Sequence, residues 1–407
     1  MTYFYRCFGM ITIFCMVSFS LDAFSFFPEA SKCIMYDPFE ALVGMSERQF
    51  FNEYGFSDTG KQFLETKLQG QQGKFYLKQV EPFYSAALEC LKQKEGGCFA
   101  HGKITFSIIE GGENPSGTSF QKYLDVAALQ ALPENNGGLF QVASNLNALE
   151  LNGTNKERIY TYIPLRTQGE ICALSALPGI IDRMYLQSPI NFLKNFNWQG
   201  SIAYIEGYFP SMPHLDSRFK NMSYEDILQT SSTLYVGVQK NVCVTSGLRN
   251  YGTQGFKAVP VTAVDQRITQ VFTAALDPYN NGALTKTIGF ENLARTLLHG
   301  AYKGTFDVAY EMGTKKIFLT LVGGGVFQNK YEWIAQAIST AFQDFSYKKK
   351  NSNGSVEVVL ILYHISTHQK ATTDWQKAEH ILKQLVSQTG GTWSRYNTKG
   401  IKKIVQS

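Results

Sequence analysis

Apolar and polar positions follow two periods along this chain, and the places where one period gives way to the other mark its elements. From Arg267 onward the alternation is regular. Apolar runs over 268–276, 316–322 and 356–364 are separated by helical spacing over 290–312 and 331–345. Strands that alternate with helices predict a parallel sheet covered on both faces. An amphipathic pattern over 374–387 adds a last helix, and 392–396 reads as a weak strand. Upstream, the stretch from about Pro38 to Glu95 reads as mostly helical, with apolar residues at helical spacing over 47–54 and 83–94. Residues 103–109 alternate as a strand, 123–132 form a short helix closed by Pro133 and Asn135-Asn-Gly-Gly138, and Leu139 to Ser144 is a buried strand. A further extended piece covers 158–163, and Thr167-Gln-Gly169 opens a small-residue helix over 171–185. The section from 187 to 262 mixes strand-like pieces at 201–208 and 233–238 with Gly, Pro and Asn and reads as an insertion. No internal repeat is visible.

One junction in this pattern carries chemistry. The apolar run from Lys316 stops at Gly323-Gly-Gly325-Val326-Phe327 and restarts as the helix from Tyr331. Backbone amides and a helix amino terminus then meet at a strand's carboxyl end, which is a cradle for an anion. The glycines let the backbone approach a phosphate. No Lys-Ser/Thr follows, so this is not a Walker loop, and it is not a GxGxxG.

Composition narrows the function classes. With 407 residues, 44% of them hydrophobic, the chain can bury the core of one large domain or two smaller ones. The net charge of +5 comes from 38 basic and 33 acidic side chains, and its densest cluster, Lys348-Lys-Lys350, reads as a solvated polar loop. No basic stripe is interleaved with stacking aromatics, which excludes nucleic acid as the expected partner. At the amino end, Arg6, an apolar stretch over 8–21 and small residues at Ala23 and Ser25 read as a secretory signal cleaved near Ser25, with an uncleaved anchor as the alternative. The expected location is secreted or periplasmic. Cys33, Cys90, Cys98, Cys172 and Cys243 remain beyond that segment, an odd set without CxxC spacing that argues against a zinc cluster. Cys90 and Cys98 either pair or stay separate thiols. The expected organisation is a signal or anchor over 1–25, a mostly helical extension over 26–100, a core over 101–365 with the insertion at about 187–262, and a helix and tail over 366–407.

The ordered parts from Ile268 to His364 resemble a macrodomain: a strand ending at Leu276-Asp277, a helix containing Leu297-Leu-His-Gly-Ala-Tyr302, then strand, Gly-rich loop with Phe327, helix and last core strand. Phe140-Gln-Val-Ala-Ser-Asn145 resembles the family's Asn-Ala-Ala-Asn strand end, and Thr167-Gln-Gly169 resembles the glycine turn after it. These forms look closest to the MavL-type effector macrodomains, which act as ADP-ribosyl hydrolases on ADP-ribosylated ubiquitin. The run of glycines that usually follows the Asn-Ala-Ala-Asn element is absent, with Gln168-Gly169 standing far downstream in its place. The resemblance implies a three-layer α/β/α sandwich with a mostly parallel sheet, ADP-ribose as ligand, and no metal or cofactor. It also implies delivery of an effector into a host cell as an alternative to export alone.

By the same resemblance, the diphosphate of ADP-ribose lies on Gly323, Gly324, Gly325, Val326 and Phe327, and on the helix terminus that follows. Ser144, Asn145 and Asn147 meet the distal ribose near Gln168 and Gly169. Either Asn can instead cap the turn after its strand. Hydrolysis at that ribose passes through an oxocarbenium-like state and needs a carboxylate to take a proton from water. Glu150, Glu170, Asp182 and Asp277 fall at or near element ends that converge on the cleft, and sequence does not choose among them. His299 and His364 lack a partner at metal-ligand spacing and read as packing or surface residues. The leading expectation is removal of ADP-ribose from a modified protein, ubiquitin being one candidate. A non-catalytic ADP-ribose reader and an exported interaction protein with a degenerate fold are the alternatives.

Overall fold

The computed structural model describes residues 38–85, 89, 104–111, 126–149, 159, 168–188, 190, 192–193, 219–252, 255–260, 265–277, 288–325, 327–350, 352, 354–362, 365 and 367–395. Its strands are β1 Lys74–Gln79, β2 Ile104–Glu110, β3 Leu139–Ala143, β4 Tyr235–Cys243, β5 Ser246–Gly252, β6 Gly255–Pro260, β7 Arg267–Thr273, β8 Lys316–Thr320, β9 Val356–Leu362 and β10 Trp393–Arg395. Its helices are α1 Pro38–Val43, α2 Glu47–Glu53, α3 Asp58–Leu68, α4 Val126–Ala131, α5 Gln168–Ser175, α6 Leu177–Ile181, α7 Tyr224–Ser231, α8 Ile288–Glu311, α9 Tyr331–Lys349, α10 Thr367–Lys370 and α11 Thr373–Thr389.

Eight strands form one sheet in the order β1-β4-β7-β3-β8-β9-β2-β10, and β5 with β6 form a separate hairpin. Every pairing from β7 to β10 is parallel, and only the β1 and β4 edge is antiparallel. As the alternating pattern predicts, both faces are covered. Gln270 of β7 reaches the Cys172 carbonyl of α5 on one face, and Gln141 of β3 reaches Thr305 of α8 on the other. A Cβ on Gly304 of α8 would stand 2.6 Å from Val236 of β4, so that helix lies directly on the sheet. Strand residues buried on both faces explain why Ile317, Phe318 and Leu319, or Val358 to Leu362, read as continuous apolar runs.

The structure corrects several expectations. The supposed insertion supplies β4 to the middle of the antiparallel edge, and the mostly helical extension supplies β1 beside it. Lys74 to Gln79 shows no clean alternation because its four central residues are half-buried on both faces alike. The small-residue helix starts earlier, at Gln168, and breaks into α5, α6 and a π turn over Asp182–Leu186. Pro178 explains the first break, since it cannot donate the hydrogen bond a continuous helix needs. Lys348 and Lys349 are no loop but the last turn of α9, where cations are favoured, and the Lys348 side chain is only 2% exposed.

The signal or anchor reading and the pieces at 158–163 and 201–208 lie outside the described residues, apart from Ile159; so do Cys33, Cys90, Cys98 and His364. Among the described residues no helix is long and apolar enough to cross a membrane.

Candidate functional site

The carboxyl ends of β7, β3, β8 and β9 emerge along one edge, with Ala143 opposite Thr273 and Thr320 opposite Ile361. Ligands in open α/β sheets sit at such an edge. Here the edge is split. Backbone pairing between β3 and β8 ends at Phe140 and Phe318, although both strands continue. Past that point the Gln141 side chain takes the ladder's place: its Oε1 accepts the Thr320 N–H at 3.2 Å while its Nε2 donates to Thr305 Oγ1 at 3.1 Å. A buried amide with both ends bonded costs little and wedges the two strands apart.

On the β3 side of the split, the Ser144 amide donates to the Thr273 carbonyl at 2.8 Å, which keeps this strand end beside β7. Asn145 is buried and turns the chain: its N–H donates to the Leu149 carbonyl and its carbonyl accepts the Ala148 N–H, with Ala148 at φ 62°. Asn147 serves this turn directly, its Oδ1 accepting the Leu149 N–H at 3.1 Å. Arg183 fastens the turn to the sheet through Nε to the Ala148 carbonyl at 2.9 Å, Nη1 to Gln239, and a guanidinium 3.7 Å from the centre of the Phe272 ring.

On the β8 side lies the glycine loop. Tyr302 pins its start, donating to the Thr320 carbonyl and accepting the Val322 N–H; burial raises its phenol far above the usual range. Gly323 turns the chain at φ +74°, and a Cβ there would stand 2.5 Å from the Ala275 Cβ. Asn329 closes the loop, its Nδ2 donating to the Leu276 carbonyl at 2.8 Å and the Gly323 carbonyl at 3.2 Å. The Gly324 amide is spent on Leu321, but those of Gly323 and Gly325 have no hydrogen-bond acceptor among the described residues. Gly325 is exposed, so a ligand can approach the backbone there.

The helix terminus behind this loop is not available as expected. Asp374 of α11 accepts the Tyr331 N–H at 2.8 Å and the Glu332 N–H at 3.1 Å, so a carboxylate of this chain already meets the amino end of α9. An anion at this loop therefore rests on loop amides rather than on the helix.

Of the four acids, Asp277 and Asp182 are placed by their side chains. Asp277 is buried directly after Leu276, whose carbonyl holds Asn329, and so lies at the loop side of the edge. Asp182 lies beneath β4 with both oxygens engaged, Oδ2 by Gln239 at 2.7 Å and Oδ1 by Gln187 at 2.9 Å; burial pushes its pKa up against these hydrogen bonds. Glu170 stands in the first turn of α5, though nothing is described of its side chain, and Glu150 and Val326 lie outside the described residues.

The course of α5 follows from two contacts. The Cys172 carbonyl sits over Gln270 midway along β7, and the Ser175 carbonyl accepts the Thr245 N–H near the amino end of that strand. Helix α5 thus runs antiparallel to β7 and directs Gln168 and the buried Gly169 toward the carboxyl edge. Ser144, Asn145, Asn147, Asp277, Gly323, Gly324, Gly325 and Phe327 share that edge, whereas Asp182 lies apart from it.

Sequence reasoning passed over Gln141, Tyr302, Arg183, Asn329 and Asp374. Asn329 had a signal, since Asn closing a Gly-rich turn commonly bonds back to the backbone. The others had none, because their partners are far away along the chain. Among the described residues no group of His, Cys, Asp or Glu is placed to hold a metal ion.

No family model and no curated protein matches the chain. Solved structures do. The poly(ADP-ribose) glycohydrolase of Deinococcus radiodurans, in complex with ADP-ribose, is 12% identical with a TM-score of 0.37, covering 78% of this chain and 98% of that one. The poly(ADP-ribose) glycohydrolase of Thermomonospora curvata is 10% identical with a TM-score of 0.35, covering 77% of this chain and 88% of that one.

Proposed function

We propose that this protein binds ADP-ribose at the carboxyl edge of its sheet and hydrolyses ADP-ribosyl groups from a modified protein. The observation that carries the reading is the split between β3 and β8. It lies between a buried Asn145 turn and a glycine loop with two open amides, and Asp277 is on the neighbouring strand end. A diphosphate fits the Gly323 and Gly325 amides, and the ribose beyond it fits the Asn145 side. Asp277 is the acid best placed to take a proton from water as the glycosidic bond breaks, a step of general-base catalysis worth about 10²–10⁴ in rate. The bond from the anomeric carbon to the protein breaks toward an oxocarbenium-like state, water adds to that carbon, and the released side chain recovers a proton.

The substrates proposed are ADP-ribosylated proteins, with ubiquitin among them. Incubating the purified protein with such substrates and measuring free ADP-ribose tests the reading; tight binding without release would replace it with a reader. One observation favours that second reading. Asp182 is fully engaged by Gln239 and Gln187, which leaves the proton transfer to Asp277, to Glu170 in the first turn of α5, or to an acid outside the described residues.

A further inference from the structure

One side chain joins the loop proposed to hold the diphosphate to the turn that carries the proposed base. Asn329 is 2% exposed, and its Nδ2 reaches across from the Gly323 carbonyl, 3.2 Å away, to the Leu276 carbonyl, 2.8 Å away, next to Asp277. Its backbone N–H returns to the same Gly323 carbonyl at 3.0 Å. The two segments touch without slack, since a Cβ on Gly323 would lie 2.5 Å from Ala275 and 2.6 Å from Asn329 Nδ2.

The unused half of the amide is informative. Asn329 Oδ1 is buried and accepts no hydrogen bond. A residue kept only to fill this space would do better as Leu, which buries no orphan acceptor. Asn is explained by its donors: two carbonyls from different strand ends converge on one NH₂ group.

We infer that Asn329 is a positioning residue that sets the distance between the diphosphate-gripping amides and the Asp277 carboxyl, a role that rests on the hydrolase reading above. It touches neither substrate nor reacting atoms. Its effect comes from tying the grip to the base, so that ligand seated on one segment presents its anomeric carbon to the other at a fixed reach. Misplacement by about an ångström at such a site costs on the order of 100-fold in rate.

The variants are Asn329→Asp, which keeps the shape but turns an acceptor toward two carbonyls, and Asn329→Leu, which removes the donors and the orphan acceptor together. Turnover of ADP-ribosylated protein, affinity for free ADP-ribose by calorimetry, and hydrogen exchange over 274–277 and 323–329 are measured per folded molecule. The inference expects a split: turnover down about 100-fold, ADP-ribose affinity weakened less than about tenfold as the amides themselves remain, and faster exchange in both segments together. A merely structural Asn329 lowers thermal stability with turnover per folded molecule unchanged, and that result overturns the inference, as does faster exchange confined to 323–329. A wild type that binds ADP-ribose and releases none sinks the hydrolase reading instead. The tie is then judged on exchange alone, where joint loosening upholds it and independent loosening does not.

Discussion

Between α8 and α9 the chain closes a set of buried charges on one another, and at the carboxyl edge of the sheet it leaves some backbone amides open. In the closed region Lys303 meets Asp307 and, at 3.3 Å, Asp344, while Lys348 meets Asp307 at 2.8 Å and Asp344 at 3.7 Å. The backbone amides of Glu81 and Tyr84 donate to the same two carboxylates at 2.9 and 2.7 Å. Burial pushes Lys303 down and Asp344 up, whereas Lys348, despite its own burial, is held above the usual range by Asp307 and Glu81. At the edge, by contrast, two glycine amides have no described acceptor and Asn329 Oδ1 has no donor. A buried polar group left unmade costs about 1–3 kcal/mol. The buried charges between α8 and α9 answer one another and hold the two helices together, whereas the exposed Gly325 backbone at the edge stays open to an incoming acceptor.

The widest separation of the two regions comes from removing one acid in each. Asp277→Asn is expected to lower ADP-ribose release by about 10²–10⁴, equivalent to roughly 3–5 kcal/mol of barrier, with thermal stability close to wild type. Unchanged release would move the base to another acid. Asp344→Ala does the reverse: it leaves Lys303 buried short of a partner, and denaturant unfolding should show a loss of about 3–5 kcal/mol while release per folded molecule holds. If Asp344→Ala costs under about 1 kcal/mol, the knot is as dispensable as a surface ion pair and the contrast fails.

A smaller effect joins the two properties at one position. Gly323→Ala places a Cβ at φ +74° and 2.5 Å from Ala275, so it must push the glycine loop off the Asp277 turn. Overpacking of this kind costs about 1–3 kcal/mol of stability, and ADP-ribose affinity should fall by more than the tenfold bound set for the Asn329 variants. Gly313→Ala is the control, because it too stands at positive φ, +63°, but nothing lies within 4 Å of its added Cβ and it precedes β8, away from the loop. Equal loss of affinity in both variants would mean that the close contact at 323 is irrelevant to ligand binding.

The same contrast explains what the sequence disclosed. The parallel core from β7 to β9 was legible because strands buried on both faces read as continuous apolar runs and the helices between them keep apolar residues at helical spacing. The edge strands were less so: β1, half-buried along its middle, shows no clean period, and β4 was read only in part, over 233–238, and assigned to an insertion because Gly and Asn interrupt it. The glycine loop and the Asn145 strand end were visible as local motifs. Their relation was not, since Gln141 and Thr320, or Asn329 and Leu276, meet only after folding. The knot was half written. Lys303 and Asp307, and Asp344 and Lys348, stand four residues apart on their helices, yet nothing in that spacing says that the two pairs face each other in the interior.

The gentlest test uses a third kind of polar group on the same helix as the knot. His299 of α8 is 1% exposed, stands between the rings of Phe83 and Tyr224 at 6.3 and 5.4 Å, and has no hydrogen-bond partner at Nδ1. Burial, with a smaller contribution from the Arg295 charge, holds its pKa down from 6.5 to about 3. The unfolded chain therefore takes up this proton as pH falls below 6.5, while the folded protein does not until about 3. Its contribution is complete above pH 6.5 and is lost on acidification, with a slope of up to about 1.4 kcal/mol per pH unit for one proton. Glu81 acts in the same direction but lower: burial pushes it up, Lys348 and Lys78 outweigh that and bring it from 4.5 to about 2, and its loss falls between those values. His299→Phe keeps an aromatic ring between Phe83 and Tyr224 and removes the proton site. The difference between the wild-type and His299→Phe stability curves should therefore open between pH 6.5 and 4.5, before Glu81 contributes. Parallel curves over that interval would show that His299 reaches water in the folded protein, and that the α8 side of the sheet is less tightly closed than its buried charges imply.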